Sequence, residues 1–122
     1  MTSVRPTDGS ERRVQVERRL GPRHQVFLAG KAQLVGGRVI DVTFRDLSAR
    51  GARLLVPAPA ALFGEVAVVI LKEALVLRSR VIWGHPPMFG VEFREAIDLR
   101  GEYPSRYDPL AEAWRCWDDP KQ

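Results

Sequence analysis

Two short groups of residues in this chain have side chains suited to holding a nucleotide. Arg19 and Arg23 flank Gly21 and Pro22 in RLGPR, and Asp46, Ser48 and Gly51 share DLSARG with Ala49 and Arg50. A guanidinium is a planar fork that meets guanine O6 and N7 bidentately, and the same fork grips phosphate oxygens. Glycine and proline disfavour a regular helix between the two arginines, so both forks can converge on one ligand. An ionised aspartate only accepts hydrogen bonds, which suits it to the N1 and N2 donors of guanine. The Ser48 hydroxyl can donate to a phosphate oxygen or a ring nitrogen. Gly51, without a Cβ, can take a positive φ or let a ligand approach the backbone closely. These parts would hold a guanine and a phosphate together.

Such groups need a frame to bring them close, and the downstream sequence reads as short strands divided by turn signals. QVFLAGKAQLV is followed by Gly36 and Gly37 and then by RVIDVTFRDLS, the pattern of a β-hairpin, because paired glycines accept the positive φ of a tight turn. The second of these strands delivers Asp46 and Ser48 to its far end, with Gly51 at the next reversal. GARLLV ends at Pro57, PAPAALFG has no clear period, and EVAVVIL and LVLRSRVIW are two further β-rich runs separated by Lys72 to Ala74. FGVEFRE comes after Pro86 and Pro87. Five or six short strands at this spacing point to a small antiparallel barrel or sandwich. Val76, Val81, Val91 and Phe93 are expected in its core, and Trp83 with them.

The two ends of the chain read differently from its middle. Residues 1–16 are polar and charged without sustained apolar periodicity, which predicts a flexible arm leading into the first arginine motif. Residues 17–95 form the β domain and 96–122 a C-terminal extension. Within that extension Asp108 and Pro109 suit an N-cap and first helical position. The helix they start would place Tyr107, Leu110, Trp114 and Trp117 near one face, to pack on its own barrel or on a partner.

Composition narrows the function. The 122 residues allow one domain with one core. A formal charge of +4, dense between Arg5 and Arg23, favours anionic partners. No apolar run approaches the roughly 20 residues that span a bilayer, and the polar N-terminus is no secretory signal. The lone Cys116 cannot form an intrachain disulfide, which suits a reducing cytoplasm, and it reads as a small hydrophobe beside Trp114 and Trp117. His24 and His85 sit in no catalytic pattern, and two histidines with one cysteine at unrelated spacings make no zinc site. Neither an enzyme nor a cofactor or metal protein is expected.

The order RxxxR, then DxSxxG, then strands ending in GVEF resembles the PilZ domain family over roughly Glu17 to Arg94. That resemblance implies a six-stranded antiparallel β-barrel and a non-enzymatic receptor for cyclic di-GMP, held by Arg18, Arg19, Arg23, Asp46, Ser48, Ala49, Arg50 and Gly51. Arg18, immediately before the motif, implies two intercalated ligand molecules per chain. The family also implies an output through a protein effector in motility, adhesion or exopolysaccharide control, and a monomer or dimer. Three other assignments compete with this one. The arginines can form a solvated basic arm while DLSARG is an ordinary turn whose Asp and Ser cap backbone donors. The barrel can serve as a protein adaptor without ligand. It can also bind RNA or DNA, although it lacks an aromatic-rich RNP pattern, so no nucleic-acid partner is expected.

Overall fold

The computed structural model describes residues 20–118, so the 1–16 arm, Arg18 and Arg19 lie outside the described residues. The strands are β1 (His24–Gln33), β2 (Val39–Leu47), β3 (Gly51–Leu55), β4 (Glu65–Ile70), β5 (Leu75–His85) and β6 (Met88–Asp98), and the helix α1 is Asp108–Cys116. All six strands are antiparallel to their neighbours, in the order β1-β2-β3-β6-β5-β4, and β1 pairs with β4 to close the ring. Closure leaves no open edge along the paired lengths. The expected mainly-β barrel with a short C-terminal helix is what the chain forms.

The hairpin signals act where the sequence places them. Gly36 and Gly37 take φ of 97° and 93°, and the Gly37 N–H donates to the Leu34 carbonyl at 2.9 Å, reversing the chain between β1 and β2. Alternation then sends Ala32, Val42, Phe44, Leu54, Val66, Val68, Leu77, Phe89 and Val91 into the barrel interior. The β4 run EVAVVI is apolar without alternation because both of its faces are covered. Val66, Val68 and Ile70 fill the barrel, while Ala67 and Val69 join Leu71, Val76, Ile97 and Leu99 in a second cluster outside it.

That outer cluster is sealed by α1, so the helix packs on its own barrel. Leu110 and Ala111 are fully buried, Tyr107 nearly so, and Trp114 and Trp117 are partly covered at the margin. Gln33 ties the approach to the helix, its Nε2 donating to the Arg106 carbonyl at 2.7 Å. The start differs by one residue from the sequence expectation. Tyr107 is the N-cap, Asp108 is already helical, and no side chain caps the end, because a 3-10 turn over Ser105–Tyr107 feeds straight into the helix. The last strand also exceeds its expected length, running as far as Asp98.

Two β-bulges decide which side chains reach the outer surface. Phe44 pairs with Leu54 and Asp46 with Arg53, so β2 carries one residue more than β3 at Arg45. Val81 pairs with Val91 and Trp83 with Gly90, so β5 carries one residue more than β6 at Ile82. A residue inserted in this way shifts the facing of the residues beyond it. Strict alternation from Val42 and Phe44 would turn Asp46 inward, and alternation from Leu77 and Val81 would turn Trp83 inward. Instead Trp83 is 38% exposed, contrary to its expected place in the core, and Val81 is only partly buried.

Candidate functional site

The turn between β2 and β3 is built from its own polar atoms. The Ser48 N–H donates to the Gly51 carbonyl at 3.0 Å, and the Ser48 hydroxyl accepts the Arg50 N–H at 3.2 Å. This local bonding fixes the three-residue reversal Ser48–Ala49–Arg50 and turns Arg50 out to solvent. The Ser48 hydroxyl faces the Gly51 carbonyl at 3.4 Å and can donate elsewhere if a better acceptor arrives. Gly51 does not take the positive φ that was one of the two purposes expected for it. A Cβ there would run into the Val91 carbonyl oxygen, so its bareness lets β6 lie close to β3.

The loop before β1, the neighbouring strand, meets this turn. Gly21, with φ of 68°, reverses the chain beside Pro22 and sets Arg23 opposite Asp46. Arg23 Nη1 donates to Asp46 Oδ2 at 2.9 Å. Gly21, Pro22, Arg23, Ser48, Ala49 and Arg50 together line a cleft of about 510 Å³, so segments 25 residues apart in the chain share one wall. Leu20, buried in the core, fixes the base of the loop. Of the residues expected at the site, Arg23, Ser48, Ala49 and Arg50 line this cleft, Asp46 joins it through Arg23, and Gly51 supports it from beneath.

Asp46 is the electrostatic centre of the region. It is 7% exposed, and Arg53 Nε approaches the same Oδ2 at 3.5 Å from the neighbouring strand. Among the described residues its other oxygen, Oδ1, is buried with no hydrogen-bond partner, and so is Arg53 Nε. A buried polar atom left unpaired costs on the order of 1–3 kcal/mol, so this pair is poised to gain a donor and an acceptor from a ligand. Among the described residues the Arg45 and Arg50 guanidiniums have no carboxylate partner. Two guanidiniums, those of Arg23 and Arg53, therefore hold one carboxylate, with the exposed Arg45 and Arg50 on the same strand and the turn that follows it, and the surface is suited to an anion.

Arg53 was not foreseen from the sequence as part of this surface, and Trp83 was expected in the core ahead of stacking on a base. Asp46, Arg53, Gly90 and Trp83 pair in one row across β2, β3, β6 and β5, and the Trp83 indole lies over Gly90, where any Cβ would collide with it. The row puts an aromatic face in line with the carboxylate, an arrangement suited to a planar base. GARLLV does place Arg53 opposite Ala52 and Leu54, which is a legible signal. The placement of Trp83 depends on the bulge at Ile82, which leaves no mark in composition.

No group of three or more potential metal ligands occurs among the described residues, and no helix among them is long and apolar enough to cross a membrane. No curated protein matches the chain. A solved structure described as the PilZ domain of CeSA from a cellulose-synthesizing bacterium has 18% sequence identity to it and a TM-score of 0.49, covering 76% of this chain and 94% of that one. The model of the PilZ domain matches residues 17–102, which hold both motifs and all six strands, and on that match the chain belongs to the PilZ domain family, a family that binds cyclic di-GMP.

Proposed function

We propose that this protein is a non-enzymatic receptor for cyclic di-GMP. The observation that carries this reading is the joining of Arg23 with Ser48, Ala49 and Arg50 in one cleft beside a buried carboxylate that has an unpaired oxygen. Guanine N1–H and N2–H are the donors that Asp46 Oδ1 lacks, and the ligand phosphates are the acceptors for Arg23 and Arg50. Arg23 then exchanges the Asp46 carboxylate for the ligand, trading one charge-assisted bond for another. Arg18 and Arg19 add further forks by their place in the motif, and Arg18 favours two stacked ligand molecules, since a denser anion needs more cations. The bound state signals to a protein effector in the cytoplasm.

Isothermal titration with cyclic di-GMP, with GTP as control and Arg19→Ala as the variant, tests this. Saturable binding that the substitution abolishes establishes the receptor, and a stoichiometry near two establishes the stacked pair. A folded wild-type protein that binds nothing points to the adaptor, for which exposed Phe63 and Ile82 beside Trp83 offer an apolar contact surface.

A further inference from the structure

A second cleft, of about 330 Å³, lies on the outer face of β1, β2 and β3 and is lined by Gln25, Val26, Arg45, Arg53 and Met88. It belongs to neither sequence motif, yet it meets the first site at Asp46. One Asp46 oxygen holds Arg23 from the first cleft and Arg53 from the second. Gln25, Asp46 and Arg53 are direct neighbours across the three strands, so the carboxylate forms the partition between the two clefts.

The second cleft is under-coordinated in the same sense as the first. Among the described residues Arg53 Nε is buried without a hydrogen-bond acceptor. Arg45, on the bulge of β2, has no carboxylate partner among the described residues, and its guanidinium carbon stands 5.2 Å from the ring centroid of Phe27. Phe27 is itself 77% exposed, a large apolar ring turned to solvent beside a cation. A guanidinium stacked on a solvent-exposed ring, beside a second guanidinium that is half-satisfied, can recognise a phosphate joined to a planar base. Arg23 of the first cleft and Arg53 of the second meet at Asp46, so a ligand with two linked nucleotides can reach from one cleft to the other.

Resting on the cyclic di-GMP reading above, we propose that Arg45, Arg53 and Phe27 form an accessory half-site that receives the second nucleotide unit of the bound ligand. Arg45 and Arg53 face its phosphate, and Phe27 lies along its base. The bulge at Arg45 thus has two effects, turning Asp46 outward and raising a cation beside it.

Titration of the full chain with cyclic di-GMP, comparing wild type with Arg45→Ala, Phe27→Ala and Arg45→Lys, tests the proposal. Arg45 and Phe27 are exposed, so their removal should leave the fold intact, as circular dichroism would report. The expected result is affinity weakened about tenfold by Arg45→Ala, the scale of one lost charge-assisted bond, with partial recovery in Arg45→Lys. A smaller loss is expected for Phe27→Ala. Wild-type binding that Arg45→Ala and Phe27→Ala both leave within about twofold overturns the half-site and leaves the receptor standing. Absence of wild-type binding overturns both.

Discussion

At the scale of single residues, the site depends on a few atoms whose ordinary partners are missing or shared. Arg23 is 66% exposed at its side chain and its side-chain hydrogen bond among the described residues is to Asp46, so Arg23→Ala should weaken cyclic di-GMP binding by at least about tenfold while costing no more than the roughly 1–3 kcal/mol of an unpaired carboxylate oxygen. Calorimetry and urea unfolding on one preparation check both halves, and a large loss of stability would mark Arg23 as structural. Gly51 should behave in the opposite way. A Cβ there meets backbone rather than a movable side chain, so Gly51→Ala should cost about 1–3 kcal/mol in urea unfolding. On the proposed reading the motif mixes residues for the ligand with a residue for the scaffold. Sequence alone could not separate them, because the carbonyl that Gly51 admits belongs to Val91, far along the chain.

At the scale of elements, the bulges and the helix carry the consequences. Asp46 and Trp83 face outward because β2 and β5 each hold one residue more than the strand they pair with, at Arg45 and Ile82. The sequence pattern that correctly placed Val91 and Phe93 in the core failed at Trp83 for this reason. The helix α1 tests a separate dependence. Leu110 is wholly buried against the outer cluster, so Leu110→Ala should destabilise the protein by about 2–5 kcal/mol, measured by chemical denaturation. The same variant, kept below its unfolding transition, should bind cyclic di-GMP with wild-type affinity, because the helix contributes no residue to either cleft. Reduced affinity in the folded variant would instead show that α1 is coupled to the site.

For the whole molecule, a ligand that binds only the folded barrel must stabilise it. At a free concentration about 100 times Kd the gain is about 2.7 kcal/mol, which for a domain of this size raises Tm by roughly 10 °C. Thermal unfolding with and without cyclic di-GMP reads this directly, and Arg23→Ala should erase the shift. Family and the succession of strands along the chain were legible in the sequence, because paired glycines, prolines and apolar alternation act within a few residues of themselves. The local chemistry of RLGPR and DLSARG was legible for the same reason. Tertiary structure alone decided the rest, since each remaining feature requires partners remote in the chain. Ring closure between β1 and β4 covers the sheet edges. The β4 strand is apolar on both faces because a helix some forty residues later covers the outer one. Pairing register turns Asp46 and Trp83 outward and sets Arg53 between them. A sequence states which residues alternate, but only the neighbouring strand determines where the count slips.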